Sequence, residues 1–367
     1  MECRTGAAGG QPAPDLAVER VREETSGPER RSNGNAHHAI GRWAHTYGAL
    51  DLGTNNCRLL IARPTRRGFR VVDAFSRIVR LGEGVGQAGN LSPAAMDRAI
   101  AALQICARKM QRRGVSRSRN VATAACRHAA NAPEFVAKVR AETGIELNII
   151  SPEEEARLAV AGCVPLLDPD SSHALVFDVG GGSTELIWLD LGDRRHPSIL
   201  AWTSMPQGVV SLSEKYGGAE ITPGAYAAMR EEVRAHLQAF EQSAGLRTRF
   251  AEGAVQMLGM SGTVTTLAGV HMGLRRYNRK LVDGVWVSVG DIRQVAQNLS
   301  GMNYAERVDV PCVGQERADL VVAGCAILEA ITDMWPAENL RVADRGLREG
   351  ILAMLMRHED QRLRQPA

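Results

Sequence analysis

Short apolar runs and longer amphipathic segments alternate along most of the chain. The first such pattern is an apolar strand from Tyr47, a Gly/Asn-rich turn at Gly53 to Asn56 and a returning strand over Arg58 to Ala62. The segment ALVFDVGGGSTELIWLDL repeats this pattern, with a turn at Gly180 to Ser183 between two apolar strands. Two such hairpins in one chain predict an internal repeat and therefore two similar α/β halves.

Helical and strand patterns alternate between and after the hairpins. The segments PAAMDRAIAALQICARKMQRRG and APEFVAKVRAETG have apolar residues at helical spacing, whereas NVATAAC and IELNII are predicted to be strands. The segment VQMLGMSGTVTTLAGV predicts a strand that runs through a glycine turn into a helix. Alternation of this kind predicts an α/β protein with a largely parallel or mixed sheet.

The composition is that of an ordinary globular protein. Hydrophobic residues make up 44% of the chain and charged residues 23%, which excludes a wholly disordered, collagen-like or membrane-embedded chain. Because 44 basic residues nearly balance 41 acidic residues, no strong overall field attracts polyanions, and anion binding has to come from local groups of residues. The tryptophans are not interleaved with basic runs, so no nucleic-acid partner is predicted.

Residues 1–45 are predicted to form a disordered tail, because Gly, Pro, Ser and mixed charge predominate there without an apolar period. This tail has no apolar core of a secretory signal, and no stretch approaches the roughly 18 apolar residues that a membrane span needs. The seven cysteines form no C-x-x-C pair and no Cys/His cluster at zinc spacing, which favours buried thiols in a reducing compartment. A cytoplasmic protein without a membrane partner is therefore expected.

Asp51 and Asp178 each end a predicted strand beside a glycine-rich turn. Glycine lets backbone N–H groups approach an anion, and an acidic residue beside such a turn suits a divalent cation held between carboxylate and phosphate. Either turn alone is weak evidence, because Asp-Gly turns are common. A third turn, at Gly262 and Thr263, leads into a helix N-terminus, which also favours anions. The three turns together predict a phosphate-binding cleft between two domains.

The segment SPEEEARLAVAGC predicts a helix that begins with Ser151 as its N-cap. Glu154 stands three residues later, at the spacing of a capping box, and Glu153 can pair with Arg157 one turn further along. Glu155 has no such structural role. The residues that share its face of the helix are Leu158, Ala159 and Gly162. A carboxylate on a packed face is costly unless it is used or paired, so Glu155 is a candidate general base, with a buried structural ion pair as the alternative.

Eight motifs along the chain resemble, in order, those of the exopolyphosphatase and guanosine pentaphosphate phosphohydrolase (Ppx/GppA) family. They are DLGTNNCRLL, RLGEG, ATAACRHAAN, SPEEEARL, FDVGGGSTEL, GMSGTVTTL, ERADLVVAG and VADRGLREGIL. The resemblance extends from about Tyr47 to about Met356. The family belongs to the superfamily of actin, Hsp70 chaperones and sugar kinases, so the resemblance implies an α/β fold of two actin-like (ribonuclease H-like) domains with an interdomain cleft.

The resemblance also implies domain boundaries. The first actin-like domain is expected over residues 46–165 and the second over 171–345. A C-terminal helix at 346–358 is expected to pack back on the first domain, and residues 359–367 are expected to form a tail. Long family members add a C-terminal helical domain after this point, so the resemblance is to the short form. A homodimer is expected only at the level of the family.

Individual roles follow from the same motifs. Glu155 falls on the family's catalytic glutamate, the one immediately before Ala in its EEAR motif. The substrate-binding residues are expected to be Gly53, Thr54, Asn55, Asn56, Arg58, Arg127, Gly180, Gly181, Gly182, Ser183, Gly262, Thr263 and Arg317. Arg80 is a weaker candidate of the same kind. The expected ligands of a Mg²⁺ cofactor are Asp51, Asp178 and Glu185.

The activity that the resemblance implies is metal-assisted hydrolysis of a terminal phosphoanhydride. Release of orthophosphate from inorganic polyphosphate is the first hypothesis, and hydrolysis of guanosine pentaphosphate is the alternative with the same catalytic residues. A kinase or ATPase of the superfamily and a non-catalytic polyphosphate- or alarmone-binding regulator are further alternatives. The chain departs from the family where Thr54-Asn55-Asn56 replaces the frequent Ser-Asn-Ser, and where Ser151-Pro152 replaces Ser-Gly. Neither departure removes the proposed catalytic acid, a glycine of the three turns or a predicted arginine.

Overall fold

The structure, a computed structural model, describes residues 41–66, 68–194 and 196–364. Most of the predicted tail therefore lies outside the described residues. Regular structure begins before residue 46, where the sequence predicts it, because Gly41–Ala44 form a 3-10 helix. Arg42 in this helix pairs with Asp360 near the C-terminus at 3.2 Å, which fixes the start of the described chain against its end.

The first half of the chain is built on a five-stranded sheet. Its strands are β1 (Tyr47–Leu52), β2 (Asn56–Thr65), β3 (Gly68–Ile78), β4 (Arg117–Ala122) and β5 (Asn148–Ile149). Their order is β3-β2-β1-β4-β5. The first three strands form an antiparallel meander, and β4 and β5 continue the sheet in parallel with β1.

The second half repeats this arrangement in a six-stranded sheet. Its strands are β6 (His173–Val179), β7 (Thr184–Asp190), β8 (Ser198–Met205), β9 (Val255–Met260), β10 (Trp286–Ser288) and β11 (Asn339–Ala343). Their order from the meander is β8-β7-β6-β9-β11-β10, with β6, β9 and β11 parallel and β10 antiparallel at the edge. The sequence prediction of an α/β protein with two similar halves is confirmed.

Helices connect and cover the two sheets. They are α1 (Val85–Ala88), α2 (Pro93–Arg112), α3 (Ala124–His128), α4 (Ala132–Thr143), α5 (Pro152–Cys163), α6 (Val209–Tyr216), α7 (Pro223–Ala244), α8 (Leu246–Glu252), α9 (Gly262–His271), α10 (Arg279–Val282), α11 (Val289–Gly301), α12 (Tyr304–Asp309), α13 (Val321–Met334) and α14 (Leu347–Arg364), with a 3-10 turn at Val164–Leu166. In the described part of the chain, no helix is long and apolar enough to cross a membrane.

Two helices, α5 and α14, pack against each other and against the sheets of both halves. Ala156 and Ala159 of α5 belong to a core cluster with strands of the second sheet, whereas Ile351 and Leu352 of α14 belong to a cluster with strands of the first. The two helices approach so closely that a Cβ at Gly350 would lie 1.8 Å from the carbonyl oxygen of Leu158. This contact fixes the helix that carries Glu155.

The C-terminal helix is longer than the sequence predicts. It was expected to end at residue 358 and to leave a tail at 359–367, but α14 continues to Arg364. The added turn contains two acidic residues that pair with the first half, since Glu359 Oε1 accepts a hydrogen bond from Arg117 Nε at 2.9 Å and Asp360 pairs with Arg42. Residues 365–367 lie outside the described residues.

Candidate active site

A cleft of about 140 Å³ lies between the two halves, where the hairpin tips of β1-β2 and β6-β7 face each other. The start of α9 and the first turn of α5 complete it. The residues predicted for the site that line the cleft are Asp51, Gly53, Thr54, Asn55, Asn56, Arg58, Glu155, Asp178, Gly180, Gly181, Gly182, Ser183, Glu185, Gly262, Thr263 and Arg317. The fold thus brings together residues that lie more than 250 positions apart in the sequence.

The first turn is held by its own backbone. The N–H of Gly53 donates to the carbonyl of Asn56 at 2.9 Å, and the carbonyl of Asn55 accepts from the N–H groups of Val79 and Arg80 at 2.9 and 3.0 Å. Within the described residues, Asp51 Oδ1 and Asn55 Oδ1 are buried without a hydrogen-bond partner. Because such oxygens are costly to bury unpaired, their position in the cleft indicates that they contact a ligand.

The second turn has a similar backbone bond, from Gly180 N–H to the Ser183 carbonyl at 2.9 Å. Behind it, Glu185 is buried and 3% exposed. One of its oxygens accepts from the hydroxyls of Ser183 and Ser204 at 2.7 and 2.8 Å. Burial nevertheless outweighs these hydrogen bonds and raises the pKa of Glu185 above its usual range.

Asp178 and Asp51, which also line the cleft, are likewise shifted towards the protonated form. Burial, followed by the negative charge of Glu185, raises the pKa of Asp178 to about 7, against the opposing charge of Arg58. Burial raises the pKa of Asp51 as well. The raised pKa values of Asp51, Asp178 and Glu185 show that their negative charges are costly in this cleft, which favours binding of a positive charge beside them.

The carboxylates fit a divalent cation that is shared with a phosphate better than a cation held by the protein alone. Among the described residues, no group of three His, Cys, Asp or Glu side chains is close enough to hold a metal ion. Mg²⁺ usually keeps several water ligands and is bound through one or two carboxylates together with substrate phosphates. Asp51 and Asp178, one from each hairpin, together with the unpartnered Asp51 oxygen, suit this mode of binding.

The start of α5 agrees with the sequence prediction in part. Ser151 Oγ accepts from the N–H of Glu154 at 3.2 Å, and Arg157 pairs with Glu153 at 2.7 Å, as predicted. The capping box is wrong in its second half, because the Glu154 carboxylate accepts from Arg119 instead of bonding back to the N-cap. The charged guanidinium on neighbouring β4 is a stronger donor than a backbone N–H.

Glu155 lies in the first turn of α5 and is held by an arginine from the first half. Its Oε2 accepts a hydrogen bond from Arg127 Nη1 at 2.7 Å, and the same Nη1 donates to the carbonyl of Ile150 at 3.0 Å. Burial, with the negative charge of Glu185 as the second cause, raises the pKa of Glu155 to about 8 despite the opposing charge of Arg127. Glu155 is therefore a buried carboxylate poised to accept a proton near neutral to mildly alkaline pH.

Arg127 differs from its sequence prediction in two ways. The segment NVATAAC was expected to be one strand, but β4 ends at Ala122 and the chain turns into the short helix α3, which carries Arg127. Arg127 was expected to face the phosphate, but its guanidinium contacts Glu155 and does not line the cleft.

The third turn presents two arginines near the N-terminus of α9. Arg317 Nη1 donates to the Gly262 carbonyl at 3.4 Å and to the hydroxyl of Thr266. A Cβ placed on Gly262 would lie 3.9 Å from both Arg317 and Arg58. Ser261 caps the helix by accepting from the N–H of Thr263 at 3.2 Å. Two guanidinium groups and a helix N-terminus thus face one side of the cleft.

Two further arginines, Arg80 and Arg348, lie outside the lining of the cleft. Arg80, the weaker candidate, does not line the cleft and instead forms a two-pronged ion pair with Asp319 of the second half at 2.8 and 3.3 Å. Arg348 was missed, although RGLREG was among the motifs. It lies beneath the cleft beside Asp51 and Arg58, and burial lowers its pKa. In the sequence, this arginine stands in the first turn of a predicted helix that follows a glycine turn. That pattern alone does not indicate that the side chain lies near the cleft.

Comparison with known proteins agrees with this architecture. The model of the Ppx/GppA phosphatase family matches residues 60–359. An exopolyphosphatase-like protein of known structure is 27% identical with a TM-score of 0.77, and the match covers 87% of this chain and 99% of that chain. A Ppx/GppA family member from Aquifex aeolicus is also 27% identical, with a TM-score of 0.70 over 86% of this chain and 99% of that chain.

An exopolyphosphatase from Cytophaga hutchinsonii has the same fold, at a TM-score of 0.75 and 22% identity over 85% of this chain and 98% of that chain. The family match spans most of the described chain. It begins after the first glycine turn and includes α5, the second glycine turn, the start of α9 and most of α14. The paired meander-and-crossover sheets, the facing glycine turns and this match lead to one conclusion. The chain belongs to the Ppx/GppA phosphatase family and has its two-domain, actin-like α/β fold.

Proposed function

We propose that this protein is an exopolyphosphatase, which hydrolyses the terminal phosphoanhydride of inorganic polyphosphate and releases orthophosphate. The observation that carries the proposal is Glu155. It is a carboxylate at the edge of a phosphate-sized cleft, 2.7 Å from Arg127 and with a pKa raised to about 8. A base with a pKa near the working pH is the group that hydrolysis of a phosphoanhydride requires.

The terminal phosphoryl group would be bound between the two hairpin turns. Backbone N–H groups of Gly181 and Gly182, the start of α9 and the guanidinium groups of Arg58 and Arg317 line this volume. Phosphoryl transfer spreads negative charge over the equatorial oxygens of the transition state, so that preorganised donors of this kind lower its free energy.

Asp51 and Asp178, supported by Glu185, would hold a Mg²⁺ ion between the hairpins. When bound, the cation supplies positive charge that offsets the charge developing on the phosphoryl oxygens. Side chains of the protein carry out the other steps. Glu155 orients a water molecule and accepts its proton as the water oxygen bonds to the terminal phosphorus and the bridging P–O bond breaks. The shortened polyphosphate then carries the negative charge on its new terminal oxygen.

The lining of the cleft favours polyphosphate over a nucleotide. Among the described residues that line it, the side chains are small, charged or aliphatic, and none is aromatic. A nucleobase commonly binds by stacking on an aromatic ring, whereas a polyphosphate chain needs only charge and backbone donors. Guanosine pentaphosphate is therefore the comparison substrate in the test.

The test is release of orthophosphate with Mg²⁺ from long-chain polyphosphate and, in parallel, from guanosine pentaphosphate. Glu155→Gln should lower kcat by on the order of 10²- to 10⁴-fold with KM largely kept. The matched control is Glu153→Gln on the same helix, because Glu153 is exposed and pairs only with Arg157; its activity should equal that of the wild type. Faster release from guanosine pentaphosphate would contradict the substrate assignment, and release that survives in Glu155→Gln would contradict the catalytic one.

A further inference from the structure

A second cavity lies between the two halves, on the other side of the glycine turns. It measures about 480 Å³, against about 140 Å³ for the cleft. The first half contributes residues of α1 and α3 to its wall, and the second half contributes residues around the start of α6. Three residues, Thr54, Ala124 and Gly182, line both the cleft and this cavity. The two spaces are therefore neighbours that share a thin partition.

Thr54 has the largest side chain of the three residues that form this partition. It is buried and enclosed by glycines from both halves of the molecule. A Cβ on Gly182 would lie 2.8 Å from Thr54 Oγ1, a Cβ on Gly82 would lie 2.3 Å from Thr54 Cγ2, and a Cβ on Gly181 would lie 3.0 Å from Thr54 Cβ. No larger residue fits at these glycines while Thr54 keeps its position. Thr54, together with Ala124 and Gly182, thus separates the cleft from a larger cavity that opens to solvent beside His128 and Gln87.

The second cavity shares the short helix α3 with the arginine that holds the proposed base. Arg127, which holds Glu155, is on α3, and Ala124, Ala125 and His128 of the same short helix line the cavity. In an in-line displacement the attacking water and the leaving chain are on opposite sides of the phosphorus. The side of Glu155 is therefore the side of the attacking water, away from the polyphosphate chain.

The charge of this cavity does not suit a bound polyanion. Its charged lining residues are Lys215 and Glu214, one of each sign, and Lys215 is already paired with Glu232 at 2.7 Å. The arginines Arg58 and Arg317 line the cleft and not this cavity. Most of the other lining residues are apolar or glycine, so the cavity offers a phosphate no strong binding site, whereas a chain of many phosphates is retained on the arginine side.

We propose that the second cavity is the exit of the orthophosphate product, with Thr54 as its gate. This inference rests on the proposed function. Cleavage at the chain end leaves the product enclosed between the glycine turns and the shortened chain, so a separate exit allows release while the chain stays bound. Two contacts between the halves lie beside the gate: the Arg80–Asp319 pair, and the hydrogen bond from Gly84 N–H to Glu214 at 3.0 Å. Both contacts are at least partly exposed, and they join the halves at this edge of the cavity.

The experiment obstructs the exit without touching the cleft. Gly86 lines the cavity, and a Cβ there meets nothing within 4 Å, so Gly86→Trp adds a large side chain without a backbone clash. Gly301→Trp is the matched control, because Gly301 also has open space and lines neither cavity. Gln87→Trp obstructs the same cavity from a second position and serves if the first variant does not fold.

Two signals are followed during the first turnovers on long-chain polyphosphate with Mg²⁺. Acid quenching measures all phosphate formed, and a fluorescent phosphate-binding protein measures phosphate that has left the enzyme. In Gly86→Trp we expect formation within two-fold of the wild type and release at least ten-fold slower, with Gly301→Trp unchanged in both. Added orthophosphate should inhibit the wild type in a way that excess chain does not overcome, and this inhibition should weaken in Gly86→Trp.

Two results would overturn the exit. Release that keeps pace with formation in both Trp variants of α1 shows that product leaves elsewhere. Formation that slows by the same factor as release shows that the cavity lies on the path of the substrate. Failure of the proposed function is distinct from both, because the wild type then forms no acid-quenched phosphate from polyphosphate.

Discussion

Arg127 Nη1 donates a hydrogen bond of 2.7 Å to Glu155 Oε2, and this contact joins the short helix after β4 to the helix that carries the proposed base. Both side chains are largely buried, at 13% and 15% exposure. The pair explains how a carboxylate on an apolar helix face is tolerated. It also makes Arg127 a positioning residue for Glu155, whose effect on activity is measurable apart from substrate binding.

Replacement of Arg127 by Ala should raise the pKa of Glu155 further, because the guanidinium stabilises the charged carboxylate. A rise of one pKa unit corresponds to about a ten-fold loss of ionised base at a pH below the pKa. We expect kcat at pH 7 to fall by at least about this factor, and Arg127→Lys to recover part of it. The measurement is kcat against pH for both variants. An unchanged pH profile with a raised KM would assign Arg127 to the substrate instead.

The pH profile of kcat for the wild type should have a rising limb near pH 8. Glu155 faces the positive charge of Arg127 and the negative charges of Glu185 and Asp51, and its pKa without a cation is about 8. Since a general base acts in its ionised form, kcat increases as the pH passes this value. A cation beside Asp51 and Glu185 offsets the charges that raise the pKa, so the limb should move to lower pH as Mg²⁺ is increased. A limb that does not respond to Mg²⁺ would place the cation away from these carboxylates.

Asp178 should make the metal-free protein less stable as the pH rises. Its pKa is about 7 in the folded protein and 3.8 as its ordinary value. Below the lower value the group is protonated in both states, and as the pH rises towards 7 ionisation favours the unfolded chain, so stability is lost. At pH 8 we expect Asp178→Asn to raise the free energy of unfolding by on the order of 2 kcal/mol.

The control for this prediction is Asp170→Asn. Because Asp170 is exposed, this substitution should leave the free energy of unfolding unchanged. Urea unfolding at pH 5 and pH 8 provides the measurement. Mg²⁺ should raise Tm of the wild type at pH 8 and have a smaller effect at pH 5, because protons compete with it for the same carboxylates. A wild type that is more stable at pH 8 than at pH 5, with no gain from Asp178→Asn, would refute the charge assignment.

The contact between α5 and α14 should be intolerant of a single methyl group. A Cβ at Gly350 would lie 1.8 Å from the Leu158 carbonyl oxygen, and backbone has to move to admit it. We expect Gly350→Ala to lower the free energy of unfolding by on the order of 1 to 3 kcal/mol, as overpacking usually does. Gly301→Ala, with open space around the new Cβ, should change it little. Equal stability of the two variants by urea unfolding would show that the helices separate readily.

Features encoded in a few neighbouring residues were predictable from the sequence. The two glycine hairpins, the turn before α9 and the Ser151 N-cap all lie where the local pattern predicts them, because backbone hydrogen bonds within each segment determine them. Glu155 was identifiable for a related reason. Helical spacing alone places it on the apolar face of α5, where a carboxylate needs a partner.

Features that depend on contacts between distant segments were not predictable. The partner of Glu155 comes from α3, a five-residue helix whose alanine-rich sequence resembles the end of a strand. The carboxylate of Glu154 turns to Arg119 because β4 runs beside α5, which the spacing of a capping box does not contain. The end of α14 extends past its predicted limit because Glu359 and Asp360 find partners in the first half. In each case a charged group selects a donor that only the tertiary fold supplies.

The position of α5 between the sheets has a consequence for how the proposed base is connected to the rest of the molecule. The helix packs through Ala156 and Ala159 on the second half, whereas the partner of its Glu155 belongs to the first half. Leu158 of the same helix packs in the core cluster of the first half. One short helix thus links the proposed base to both hydrophobic cores, so that a substitution in either core can alter the position of Glu155 without any contact to the substrate.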